Sequence, residues 1–192
     1  MFCFDRLLYN LTRLYNRGID IDMDDGIEIE QASLEDVELI LQLQMRAYLS
    51  EAEIYNDYSI PPLIQSFNEI KQEFSQQVFL KAIQKGKDAK DDINIIGSVR
   101  GYHDKGTAFI GRLIVKPESQ NKGIGGRLMH AIERRYESAD RYELFTGHKS
   151  ARNLHLYQKL GYHEFKRVTV NDWLTMVFLE KYNNKNNQQQ QK

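Results

Sequence analysis

Between Thr107 and Tyr136 the chain runs from an apolar segment, TAFIGRLIV, past Pro117 and three glycines into the amphipathic stretch IGGRLMHAIERRY. A strand that turns into a helix across a short polar loop restricts the fold more than any other part of the chain. Glycines there let the backbone turn with its amides exposed, and the helix that follows adds the positive end of its dipole. Such a segment reads either as an anion cradle suited to a pyrophosphate or as a tight strand-to-helix connection. Two nucleotide motifs are excluded by residues. A P-loop needs lysine and then Ser or Thr after its last glycine, whereas Gly126 is followed by Arg127 and Leu128. A dinucleotide fingerprint begun at Gly123 finds Gly125 but puts Leu128 where its third glycine belongs.

The 192 residues are 28% charged and 41% hydrophobic, with a formal net charge of -1. One globular domain with short extensions is expected. The near-neutral balance, with RRY and KSAR interspersed among acids, gives no support to nucleic-acid binding. The single cysteine, Cys3, offers no disulfide and no cysteine-based metal site, so a cytoplasmic protein without a metal is expected. No apolar run approaches the roughly 20 residues that span a bilayer. MFCFDRLLYN breaks its apolar start at Asp5 and Arg6, so neither a membrane span nor a secretory leader is expected. Leu7, Leu8, Leu11 and Leu14 lie at helical spacing beside Arg6, Arg13 and Arg17; this reads as an amphipathic extension, with a mitochondrial presequence as the alternative.

Residues 1–26, ending in an acidic linker, are therefore assigned to an N-terminal extension, 27–182 to the folded domain, and the Asn/Gln-rich 183–192 to a disordered tail. IEIEQAS alternates as a strand. Ser33 then starts a helix with Asp36 in the capping-box position and Leu34, Val37, Leu41, Met45 and Tyr48 on one face. Pro61 and Pro62 open a second helix marked by Leu63, Phe67, Ile70 and Phe74. VFLKAIQ, NIIGSVRGYH and TAFIGRLIV read as an antiparallel meander, with KGKDAKDD as the first turn. The glycine loop leads into a helix with Ile124, Leu128, Ile132 and Tyr136 on one face. YELFTG reads as a strand, SARNLHLYQKLG as a helix capped by Ser150 and ended by Gly161, and YHEFKRVTV and DWLTMVFLEK as a final strand pair. The fold class is α+β, a mixed, mostly antiparallel sheet of about seven strands flanked by four helices.

The spacing of QNKGIG, preceded by LIVKP and followed some thirty residues later by SARNLHLYQKLGY, resembles the GCN5-related N-acetyltransferase (GNAT) superfamily over roughly 27–181. Two separated motifs at the right spacing are more specific than either alone. The resemblance implies the acyl-CoA N-acyltransferase fold and an acetyl-CoA-dependent N-acetyltransferase. It implies that the amides from Gln120 through Gly126, that is Gln120, Asn121, Lys122, Gly123, Ile124, Gly125 and Gly126, hold the CoA pyrophosphate. Leu113, Ile114 and Val115 are implied beside the thioester, their main chain pairing with the pantetheine arm. Asn153 and Tyr157, four residues apart on one helix face, are implied to point at that arm, with Tyr157 as proton donor to the departing thiolate.

The histone-type glutamate of the fourth strand has no counterpart, since Phe109 stands at its position; proton removal from the acceptor is left to Glu143, His148 or water. Two readings of the acceptor stay open. The connection MRAYLSEAEIYNDYSIPP carries Tyr48, Glu51, Glu53, Tyr55, Asp57 and Tyr58, which would suit a cationic amine, whereas Arg112 would suit a carboxylate on the acceptor. A primary amine of a small molecule is the expected acceptor. The alternatives are a protein or peptide amino group, or a non-catalytic acyl-CoA-binding sensor. The superfamily often dimerises through its terminal strands, so a homodimer is a further expectation.

Overall fold

The computed structural model describes residues 26–84 and 94–183. The amphipathic first segment, the KGKDAKDD turn and the Asn/Gln tail lie outside the described residues. Seven strands form one sheet: β1 (Ile27–Gln31), β2 (Val78–Gln84), β3 (Asn94–Asp104), β4 (Thr107–Val115), β5 (Arg141–Gly147), β6 (His163–Asn171) and β7 (Leu174–Tyr182). Their order is β1-β2-β3-β4-β5-β7-β6. All pairings are antiparallel except β4 with β5. Helices α1 (Val37–Tyr55), α2 (Pro61–Ile64), α3 (Phe67–Phe74), α4 (Ile124–Arg135) and α5 (Ala151–Lys159) complete the fold. The mixed, mostly antiparallel architecture expected from the sequence is the one observed.

Strand alternation distributes side chains to two cores, one on each face of the sheet. Ile96, Leu80 and Ile110 join the apolar face of α4, made of Ile124, Leu128, Met129 and Ile132. Ile95, Phe79 and Ile114 join Val37, Ile40, Leu41 and Leu43 of α1, with Ile70 of α3. Each fully buried aliphatic or aromatic side chain contributes about 1.5–3 kcal/mol. Gly97 sits where α4 crosses β3: a Cβ there would stand 2.9 Å from Leu128 Cδ1 and 3.1 Å from the Ile114 carbonyl oxygen. Glycine is what lets the helix approach the sheet this closely.

Three local readings change. The first-helix face is rotated from the one expected: Val37 and Leu41 are buried as read, but Leu34 and Met45 are exposed, and Ile40, Leu43 and Gln44 are buried instead. Gln44 enters the interior because its side-chain amide donates to the Pro62 carbonyl (2.8 Å) and to Gln65 Oε1 (2.9 Å). The second helix is two pieces, because Gln65 and Ser66 are extended and Ser66 restarts a helix by capping the Glu69 amide at 3.3 Å. Ser150 precedes α5 without a side-chain cap; its hydroxyl donates to Glu51 of α1.

At the start of α1 the Ser33 amide and hydroxyl both donate to the Asp36 carboxylate, at 2.7 and 2.8 Å. Lys81, in the middle of β2, reaches both oxygens of that carboxylate at 2.8 Å. Burial alone would raise the Asp36 carboxyl, but the bonds from Lys81 and Ser33 hold it below its ordinary range. The buried pair fixes the entry of α1 against the sheet.

Candidate active site

The site begins with a strand pairing that stops early. β4 and β5 are paired only from Thr107↔Arg141 to Phe109↔Glu143. β4 continues to Val115, and β5 continues to Gly147 paired on its other side with β7. Just past that point β4 carries a bulge in which Arg112 and Leu113 together oppose Val99 of β3. Arg112 takes a left-handed backbone, φ +50°, which for a residue other than glycine costs about 1–3 kcal/mol. The bulge reverses the alternation of the strand. Ile110 lies in the α4 core and Ile114, four residues on, in the α1 core. Leu113 and Val115 are thereby turned toward α4, and Arg112 toward Tyr48 of α1, its guanidinium carbon 5.9 Å from the ring centroid.

Two cavities flank this gap. The first, of about 430 Å³, is lined by Leu113, Ile114 and Val115, the glycine loop, one face of α1 from Ala47 to Ile54, and one face of α5. Gly123 ends the loop at φ +80° as the cap residue of α4, with no side chain capping the helix. The first intrahelical bond is from the Arg127 amide to the Gly123 carbonyl at 3.1 Å. The amides of Ile124, Gly125 and Gly126 precede it and have no intrahelical acceptor. An added Cβ at Gly123 or Gly126 would meet no atom within 4 Å, so nothing fills the space over these amides. Gln120 braces the loop, its Nε2 donating to the Val115 carbonyl at 3.0 Å while Oε1 accepts from Arg152 of α5. Arg152, His155 and Lys159 also line this cleft.

Of the residues assigned from sequence, Leu113, Ile114, Val115, Gln120, Asn121, Gly123, Ile124, Gly125, Gly126 and Asn153 line the cleft. Lys122 is exposed beside it and is not among the lining residues. Tyr157 is also not among the lining residues: it is buried, 7% exposed, against Tyr162, with ring centroids 6.1 Å apart, because its position on α5 faces the core. Burial pushes the Tyr157 phenol well up, and the nearby Tyr48 and Glu51 add to the shift. Glu51 joins α1 to α5, its carboxylate accepting from the Ser150 hydroxyl and, at 3.1 Å, from the Asn153 side chain.

The second cavity, of about 240 Å³, lies beside Phe109 to Arg112 of β4 and Glu143 to Phe145 of β5, and Tyr48 lines both cavities. Arg100 projects into it from β3, only 4% exposed, ion-paired with Glu73 of α3 at 2.6 Å and bonded to Gln65 at 3.2 Å. Burial pulls Arg100 down to about 10, with Glu73 opposing and the charge of Arg112 adding to the fall. A lone charge inside the apolar run NIIGSVRG was the signal by which sequence could have flagged Arg100.

Glu143 lines this cavity and is held by Arg141 at 2.8 Å. His148 lines neither; its Nδ1 accepts from the Thr175 amide at 3.1 Å and its ring lies against Tyr55. Two of the three acidic residues offered for a cationic acceptor are otherwise engaged. Asp57 closes a turn onto Ser59, and Glu51 holds Ser150 and Asn153. Among the described residues, no group of three or more His, Cys, Asp or Glu side chains is placed to hold a metal ion.

A seven-stranded sheet split between its fourth and fifth strands, with a glycine loop and an uncapped helix end at the split, defines an acyl-CoA N-acyltransferase fold. Residues 88–164 match the family model described as the acetyltransferase (GNAT) domain. The PaiA N-acetyltransferase of Thermoplasma acidophilum, solved in complex with coenzyme A, superposes with a TM-score of 0.57 at 24% identity, covering 81% of this chain and 98% of that one. A GNAT phosphinothricin acetyltransferase from Sinorhizobium meliloti, solved with acetyl-CoA, gives 0.63 at 16% identity over 82% and 88%. The UPF0157 protein YqkA of Bacillus subtilis is 27% identical over 143 residues, 74% of this chain. The chain spans only 39% of that relative's length. The chain thus has the fold of the GNAT acetyltransferases, and over residues 88–164 its sequence is similar to their domain.

Proposed function

We propose that the protein is an acetyl-CoA-dependent N-acetyltransferase acting on a primary amine of a small molecule in the cytoplasm. The observation that carries this reading is the gap between β4 and β5, which joins a cleft ending in unpaired helix amides to a second cavity on the strand's other flank. The loop cleft takes the donor, and the arginine cavity takes the acceptor.

Acetyl-CoA supplies a thioester carbonyl to which the neutral amine forms its C–N bond as the C–S bond breaks and the amine's excess proton passes to water or a carboxylate. The amides of Ile124, Gly125 and Gly126, at the positive end of the α4 dipole, receive the pyrophosphate. Arg152, His155 and Lys159 stand at the same cleft for the remaining phosphate charge. The main chain of Leu113 to Val115 orients the donor arm and directs amide dipoles at the carbonyl oxygen.

Burial keeps the Tyr157 phenol protonated, and in this reading its hydroxyl serves the departing sulfur. A free thiol has an ordinary pKa of about 8.5, below that of the buried phenol. Tyr157 therefore stabilises the thiolate as a hydrogen-bond donor, and solvent completes its protonation. Glu143 is the carboxylate placed to take a proton from the acceptor side. For the homodimer, β6 offers an edge strand exposed from His163 to Val170.

The test is release of free thiol from acetyl-CoA in the presence of a panel of small amines, peptides and proteins. Thiol release driven by small amines is the expected result. Donor binding without release by any acceptor would move the protein to the sensor class.

A further inference from the structure

The arginine cavity contains a cation without a counterion. Each carboxylate that lines it is engaged: Glu73 pairs with Arg100 at 2.6 Å, and Glu143 pairs with Arg141 at 2.8 Å. Arg112 forms no ion pair among the described residues, and its Nε is buried with no hydrogen-bond partner. Its neighbours are Tyr48, whose neutral phenol and ring it meets, and the second guanidinium of Arg100, which repels it. A buried guanidinium nitrogen left unsatisfied is costly, and a planar fork of donors matches an oxyanion such as a carboxylate, the commonest anionic group of small biological amines.

The backbone holds Arg112 in this position against its own preference, through the left-handed bulge residue described above. An outlier maintained at the junction of two cavities is where a ligand contact is expected. The rest of the lining is aromatic. Tyr102 and Phe109 stack at 5.0 Å with an interplanar angle of 20°, and Phe145 is half exposed beside them. At ~30 Å³ per water the cavity has room for about eight, which suits a molecule the size of an amino acid and not a folded chain.

We infer that the acceptor is a small amine that also carries a carboxylate, with Arg112 receiving the carboxylate and the Tyr102–Phe109 pair flanking an apolar or aromatic body. The inference rests on the acetyltransferase reading, and it decides between the two acceptor chemistries that the sequence left open. Lining carboxylates already paired with arginine leave little attraction for a second cation, whereas Arg112 lacks an anion.

The experiment measures binding without turnover. The full-length protein, saturated with CoA, is titrated calorimetrically with N-acetylphenylalanine and with N-acetylphenethylamine, which differ only by the carboxylate. The carboxylated ligand is expected to bind at least about tenfold more tightly, and that advantage is expected to vanish in Arg112→Met and to be partly kept in Arg112→Lys. Equal binding of the two ligands, or an advantage that survives in Arg112→Met, would overturn the inference. Thiol release with phenylalanine and phenethylamine as acceptors then tests the underlying reading separately. A carboxylate preference in binding without release for either amine would remove the transferase activity and leave the anion site standing.

Discussion

The guanidinium of Arg112 lies over the ring of Tyr48, and these two side chains stand where the donor cleft meets the acceptor cavity. One comes from a strand bulge and the other from the first helix. The bulge turns Leu113 and Val115 to the α4 side of a single strand and Arg112 to the α1 side, so that the strand serves both cavities.

Tyr157 offers the most direct test of the chemistry. Because its hydroxyl makes no hydrogen bond among the described residues, Tyr157→Phe is expected to keep the fold and the affinity for CoA. Removal of a donor to the developing thiolate should lower kcat by on the order of 100-fold. Steady-state kinetics alongside CoA titration checks this, and a variant with unchanged kcat would take the residue out of the mechanism.

Two glycines separate packing from binding. Gly97→Ala places a methyl against Leu128 and the Ile114 carbonyl, and should cost about 1–3 kcal/mol in denaturant unfolding. Gly126→Val adds its side chain where no protein atom lies within 4 Å, over the amides of the loop cleft. It should leave the unfolding midpoint nearly unchanged while weakening CoA at least about tenfold.

The Asp36–Lys81 pair sets a pH dependence of stability. With Asp36 held low, its contribution is present above the unfolded carboxyl value of about 3.9 and is lost as pH falls through the folded value. Lys81 is shifted upward: burial alone would lower it, but its bonds to Asp36 and Glu30 prevail. Its contribution therefore persists until pH rises through the raised value. Thermal melts should show this pair as a plateau at neutral pH with a fall below about pH 4. Asp36→Asn should flatten that acid limb and cost about 3 kcal/mol at pH 7, because Lys81 stays buried.

The two residues offered as bases should behave differently. Glu143→Gln changes a carboxylate at the acceptor cavity, and kcat/KM should fall several-fold, most at low pH where the neutral amine is scarcest. His148→Asn lies outside both cavities and should leave kcat within about twofold. Rate profiles between pH 6 and 9 distinguish them, and the opposite ranking would transfer the role to His148.

Much of this was legible before any tertiary contact. Strands β2 through β5 and helix α4 follow from local periodicity and turn chemistry, which operate over neighbouring residues. The cleft-lining loop was legible for the same reason, since Gln120, Gly123 and Gly125 lie on a contiguous backbone. The first-helix face was misread because Gln44, polar in composition, is made buriable by Pro62 and Gln65, about twenty residues away. Ser150 has the composition of a cap and bonds Glu51 instead, across ninety-nine residues of chain.

The amino-acid sequence by itself determined the element order and the mixed sheet, because these depend on side-chain period and turn chemistry, and its glycine spacing carried the resemblance that implies a donor loop. Only the tertiary structure decided where the second cavity lies and what charge it holds. TAFIGRLIV reads as an uninterrupted strand, and nothing in it shows that Arg112 and Leu113 share one partner on β3. That register, fixed by the packing of both faces of the sheet, turns an arginine toward Tyr48 and leaves it without an ion pair among the described residues.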